Sequence, residues 1–329
     1  MIPPNGIIDA TADSRLRNGG YFVIPSNLKE GLLHSWNVAY QRQLRGNFTV
    51  EAAYVGNRGQ DIIARVDGNA GNVPGANDAG RAQFAQFGRT GSTTLFIPVK
   101  TQYNSLQVKV DRRFKNNFQV TNSYTLGRGY NYNSGDDNQN ISTQANIELS
   151  WGRQVNDRLH TFNSSFVYGL PFKHDGALGW VLNGWQLAGL FTAQSGQALD
   201  ITMSGSLLAA PGNTQRPNQN GASKIIGDIG AGKLWFDTSV FSAPAAATFG
   251  NLTRNGAGIN GPGFVNLDGS LVKKFEIRHT YAEFRVDAFN VTNSLHANNP
   301  NVTFGGATFG QITGSSGERL VRFGLRFVF

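Results

Sequence analysis

The pattern of apolar residues predicts an all-β protein, a single antiparallel transmembrane β-barrel wall of about nine strands. Three observations carry this: a recurring period of two, an alternation of short and long connections, and a chain end that is itself a strand. Each strand is expected to span roughly ten residues, the length a tilted strand needs to cross a hydrocarbon layer, whereas soluble sandwiches favour roughly five or six.

In chain order, the first strands lie at about 31–43, "LLHSWNVAYQRQ", and 47–57, "NFTVEAAYVGN". In "NSLQVKVDRRF" the residues Leu106, Val108 and Val110 share one face, opposite Gln107, Lys109, Asp111 and Arg113. Further strands are read at 117–128, 158–169, 184–195 and 263–275. "TYAEFRVDAFNV" places Ala282, Phe284, Val286 and Ala288 on one face and Tyr281, Glu283, Arg285 and Asp287 on the other. The last strand, "RLVRFGLRFVF", aligns Val321, Phe323, Leu325, Phe327 and Phe329 against Arg322 and Arg326. Each of these strands has an oily side and a wet side.

The connections near 44–46, 115–117, 171–183 and 276–279 are short, and those at about 58–102, 129–157, 196–262 and 292–318 are long, polar and rich in Asn, Gly, Ser and Gln. Outer-membrane barrels have short periplasmic turns and long extracellular loops. The alternation therefore places the C-terminus in the periplasm and the long loops outside a bacterial outer membrane, with membrane lipid as a partner. Aromatic residues support the frame. Phe114, Phe118, Tyr168, Phe172, Trp180, Trp185, Phe275, Tyr281, Phe327 and Phe329 fall near the short turns, and Tyr54, Tyr124 and Phe289 near the long loops, as two interfacial girdles. "ALGWVLNGWQLAGLFTA" is the longest apolar stretch, but Asn183, Gln186 and three glycines make it a turn feeding a strand and not a membrane helix.

Composition narrows the function. Charged residues are only 15% of the chain, against roughly 25% in soluble domains. The net charge of +8 comes from Lys and Arg spread singly, without the clustered patch of a nucleic-acid binder, so nucleic acid is not expected as a partner. Cysteine is absent and the five histidines lack metal-pair spacing, so neither a metal nor another cofactor is expected. "GDIGAGKL" approaches a phosphate-binding loop, but Leu234 stands where the motif needs a hydroxyl and no βαβ unit surrounds it. Asp136, Asp137, Asp157 and His160 flank one long loop and form the one arrangement that could activate a water; no catalytic residue is assigned. The start of the chain shows no basic segment followed by an apolar one, so no secretory signal is read there.

The wet faces of the last three strands carry Asp268 and Lys274, then Glu283, Arg285 and Asp287, then Arg322 and Arg326. These seven are the expected lumen-facing charges, disposed to pair across neighbouring strands.

From Lys233 to Phe275 the chain reads "KLWFDTSVFSAPAAATFGNLTRNGAGINGPGFVNLDGSLVKKF", which is similar to the late-barrel region of TonB-dependent outer-membrane transporters of the Oar-like type. "LHSWNVAYQRQL", "YNSLQVKVDRRF", "FQVTNSYTLGRG" and "AEFRVDAFNVTNSLHANNP" resemble its strands in the same order. The resemblance implies that residues 31–329 form the C-terminal part of a barrel of about twenty-two strands, with 1–30 the remainder of an extracellular loop. It implies uptake of a bulky solute of peptide or glycan type, no enzymatic activity, and coupling to TonB only through an N-terminal barrel and plug half that this sequence lacks. It also implies that Val321, Phe323, Leu325, Phe327 and Phe329 form the signal read by the barrel assembly machinery. The alternative is a small self-contained barrel acting as an adhesin or pore, with "GGYFVIPS" supplying a tenth strand.

Overall fold

The computed structural model describes residues 18–132, 141, 144–277 and 280–329. Nine antiparallel strands form one continuous sheet in sequence order: β1 Leu32–Leu44, β2 Phe48–Asp67, β3 Thr93–Lys115, β4 Phe118–Asn131, β5 His160–Gly169, β6 Trp185–Gln194, β7 Phe264–Ile277, β8 Thr280–Phe289 and β9 Leu320–Val328. Among the described residues no helix is long and apolar enough to cross a membrane.

Register turns the period of two into two faces. One row across the sheet reads Tyr40, Ala52, Val108, Tyr124, Phe162, Ala193 and Val265. The next row, one residue along each strand, reads Gln41, Glu51, Lys109, Ser123, Asn163, Thr192 and Asn266. Side chains alternate across a strand, so these rows lie on opposite sides and the wall has an apolar and a polar face. On β9, Val321, Phe323, Leu325 and Phe327 fall on the apolar face, opposite Ala288, Val286, Phe284 and Ala282. Tyr281 and Phe289 share the polar face with Glu283, Arg285 and Asp287, so these two rings do not belong to an outer girdle.

The two longest strands run well past the rest. β2 and β3 continue to Asp67 and back from Thr93, through a stretch whose sequence reads as loop. The cause is a β-bulge: Gly59 pairs with Thr101, but the next partners are Ile62 and Val99, and the extra residues include Asp61 at φ 54°. One inserted residue reverses the parity of β2. Ile62, Ala64 and Val66 therefore swing onto the side that is polar lower down, where Ala64 and Val66 join Ile97, Val99, Tyr132 and Ile141 in a buried cluster.

The described parts of the other long connections are folded, in contrast to the unstructured filler their composition suggests. Leu199, Ile201, Phe236, Phe241, Leu252, Ala257 and Ile259 form a second core, with Val302, Phe304 and Phe309 from the β8–β9 connection packed against it. Phe309 lies 5.4 to 5.7 Å from Phe236, Phe241 and Phe304 in edge-to-face contacts. Segment 205–213 is laced to the β2–β3 connection by Gly71 N–H to the Pro211 carbonyl at 2.7 Å and Asn77 N–H to the Ala209 carbonyl at 2.8 Å.

Tyr21–Val23 is a short strand, but it pairs in parallel with Thr93–Leu95 of β3 and touches neither sheet edge, so it is not a tenth wall strand. The near phosphate loop at Gly227–Leu234 is an irregular turn with Gly227, Gly230 and Gly232 at positive φ and no helix after it. Asp136, Asp137 and His279 lie outside the described residues.

Candidate functional site: the polar face and its loop cap

The polar face brings all seven charges singled out in the sequence to one side of the last three strands. Across β7 and β8, Lys274 stands opposite Glu283 and Ser270 opposite Asp287; across β8 and β9, Glu283 stands opposite Arg326 and Asp287 opposite Arg322. The positions alternate in sign as a cross-strand ladder requires. The ion pairs on this face, among the described residues, instead run along single strands. Arg285 Nε donates to both oxygens of Asp287, at 2.7 and 2.9 Å, and Lys274 Nζ lies 3.8 Å from Glu276. Register explains the first: the cross-strand neighbours of Arg285 are Val272 and Gly324, so its nearest acid is two residues along. Lys109 and Asp111 repeat the arrangement on β3 at 2.7 Å. Arg322 and Lys274 sit over the Phe289 and Tyr281 rings at 5.2 and 4.3 Å, which accounts for those aromatics on a polar face.

Asp268 is held differently. Its Oδ1 accepts from Asn266 Nδ2 at 2.9 Å and from Asn290 N–H at 2.8 Å, which fixes the turn where β8 enters its long connection. Between Asp268, Arg285, Asp287 and Phe289 on one side and Ser165 and Leu190 on the other, the face holds a shallow hollow of about 380 Å³.

Above the wall, four arginines that the sequence does not single out tie the loop cap together. Arg254 is 1% exposed. Its Nε donates to the Ser150 carbonyl at 2.9 Å, and its Nη2 to the Gly152 carbonyl at 3.1 Å and to Asn131 through both the main-chain carbonyl and Oδ1. The chains approach so closely that a Cβ on Gly152 would fall 1.8 Å from the Arg254 carbonyl oxygen. Burial, the largest influence, pushes the Arg254 guanidinium down to about 10, opposed by Asp200 and reinforced by Arg216. Arg216 grips Asp200 through Nε at 3.1 Å and Nη2 at 2.9 Å. Arg128 and Arg153 converge on Asp157, and Gly129 N–H donates to its other oxygen at 2.8 Å.

Asp157 is thus filled by donors, and His160, the other member of the candidate water-activating group, meets Tyr124 instead, Nδ1 to Oη at 2.8 Å. The two are not brought together. The sequence offers little to find the arginine clamp, since each member is a lone Arg that no periodicity marks, and the acceptors of Arg254 lie 102 to 123 residues away.

The two faces, the in-order antiparallel sheet and the folded cap set the context for comparison with known proteins. A family model described as an outer membrane beta barrel domain matches residues 2–323. The chain belongs to that family. No curated protein matches it. Among solved structures, this outer-membrane barrel chain is similar to the FrpB iron transporter from Neisseria meningitidis (12% identity, 93% of this chain and 32% of that one, TM-score 0.45). It is also similar to the siderophore receptor PirA from Acinetobacter baumannii (14%, 92% and 32%, TM-score 0.44) and to the copper transporter OprC (11%, 92% and 33%, TM-score 0.41). The barrel chain spans about a third of the length of these structures.

Proposed function

We propose that the chain is the C-terminal wall and loop cap of a TonB-dependent outer-membrane uptake receptor, lining the passage of a bulky solute. The parity of the sheet carries the reading. β1 and β9 are the two edges of a nine-stranded antiparallel sheet, so they run in the same direction. Unpaired edges are not tolerated in hydrocarbon, and antiparallel closure of this wall needs an odd number of further strands. A second copy brings nine and would set β9 beside a parallel β1, which excludes simple pairing of two chains. The resemblance to late-barrel segments of Oar-like transporters supplies a fitting number: about twenty-two strands in all leaves about thirteen, which is odd.

In this arrangement the polar face, with Asp268, Lys274, Glu283, Arg285, Asp287, Arg322 and Arg326, lines the lumen. The short turns and the C-terminus are periplasmic and the folded cap is the extracellular entrance, where a peptide- or glycan-like solute is first met. Coupling to TonB runs through a plug supplied with the remaining strands. Val321, Phe323, Leu325, Phe327 and Phe329 serve as the signal for the assembly machinery, and the fully exposed Phe329 is free to be bound.

Unheated gel electrophoresis and planar-bilayer recording of the purified chain test this. The expected result is no heat-dependent mobility shift and no unitary conductance from the chain alone. A compact SDS-resistant species with steady conductance steps would overturn the proposal in favour of a self-contained pore.

A further inference from the structure

Three of the short-end connections are tight or nearly so, but the one between β5 and β6 spans residues 170–184 and contains a helix, α1, Gly176–Leu182. Seven residues cannot hold a helix alone, so its neighbours must. Those neighbours all belong to the apolar face. Trp180 packs on Phe275 with ring centroids 4.9 Å apart, Trp185 Nε1 donates to the Val181 carbonyl at 2.9 Å, and Lys273 Nζ donates to the carbonyl of Asn183. Register places Phe275 opposite Ala282, and Lys273 opposite both Phe284 and Trp185, which fixes the side of the sheet. The segment folds back on itself because Asn183 brackets His174, accepting its N–H at 3.0 Å and donating to its carbonyl at 2.8 Å. Gly179 is required there, since a Cβ would lie 1.9 Å from the His174 carbonyl oxygen.

The result is a helix laid against the outside of the wall with its own apolar residues turned outward. Leu178, Trp180 and Val181 are 56%, 61% and 52% exposed, and Phe172 adds to the same end. In water such a patch is a liability. Here it continues the apolar face and ends at a level marked by cations: Lys173 and His174 precede the helix, Lys273 is buried beside it, and the neighbouring turns carry Arg45 and Lys115. A groove of about 420 Å³ separates α1 from the end of β7, lined by His174, Asp175, Trp180, Lys274, Phe275 and Glu276.

We propose that α1 is an interfacial foot that seats the wall in a layer of anionic phospholipid headgroups at its short-turn end. Leu178, Trp180 and Val181 enter the acyl boundary, and Lys173, with Lys115 of the neighbouring turn, meets headgroup phosphates. Apolar area gives the binding and the cations select the anionic lipid. The proposal rests on the apolar face being the lipid face.

The test reads tryptophan quenching in the full chain reconstituted into nanodiscs whose phosphatidylcholine or phosphatidylglycerol is brominated near the headgroup. The Trp180 contribution is the difference between the wild type and Trp180→Phe. It is expected to be quenched about twofold more by brominated phosphatidylglycerol than by brominated phosphatidylcholine, and Lys173→Ala with Lys115→Ala should erase the difference. Trp151 and Trp235, in the cap, should be insensitive. Quenching retained in full by Trp180→Phe overturns the foot while leaving the wall reading intact. Equal quenching of Trp180 by both lipids overturns the anionic selection. No quenching in any variant removes the wall from the bilayer, and the foot with it.

Discussion

Replacing Arg254 by alanine tests whether the long loops are one folded cap or separate strands of chain. The side chain makes four hydrogen bonds to groups of Asn131, Ser150 and Gly152. Hydrogen bonds to a charged donor contribute about 1.5 kcal/mol each at the low end, so about 6 kcal/mol is lost with the guanidinium. Against this stands the cost of keeping the charge buried. A guanidinium that burial lowers to about 10 has given up about 3 kcal/mol, which the alanine variant recovers. The net loss is about 3 kcal/mol, or roughly a hundredfold increase in opening of the cap. Hydrogen exchange resolves it by region. Protection at Trp151 and Gln154, whose N–H groups bond Glu148 and Gly129, should fall by about that factor, while the β7–β8 ladder around Leu271 and Val286 keeps its protection. Unchanged exchange in the cap would refute the clamp. Equal loss in the wall would show that cap and wall form one cooperative unit.

Deleting Asp61 removes the bulge and returns Ile62, Ala64 and Val66 to the opposite face; the expected loss is about 3–6 kcal/mol from the upper core, seen as proteolysis within residues 68–92 of a chain whose lower wall is intact. The Tyr132 phenol is pushed up to about 12, first by burial and then by its hydrogen bond to Glu148 and that carboxylate's charge. Its folded value lies above the unfolded 10, so the stabilisation is complete below pH 10 and is lost as pH rises through about 12. Ultraviolet titration should show a late phenolate step that Tyr132→Phe removes. Phe329→Ala deletes a fully exposed ring, so it should leave the folded chain's stability unchanged within about 0.5 kcal/mol yet lower the amount delivered to the outer membrane; equal delivery would dismiss the terminal aromatic as an assembly signal.

The sequence by itself determined the nine wall strands, their order and their two faces. Alternation such as Ala282–Phe284–Val286 against Glu283–Arg285–Asp287 is a local signal, because in a sheet each residue's side is set by parity alone. It failed where parity was broken: the residue inserted at Asp61 made a paired extension read as loop. It failed again in the long connections, where Phe236, Phe309 and Arg254 stand among Asn and Gly with no period to mark them. Arg254 and its acceptors are 102 to 123 residues apart, and Phe304 reaches the other rings across two wall strands, so only the closed fold brings them together. The same holds for α1, read from sequence as a turn feeding a strand; that it lies on the apolar face was decided by Phe275, Lys273 and Trp185, which the register of β6, β7 and β8 presents to it. Period sets which way a side chain points, but what it meets there depends on chain returning from far away.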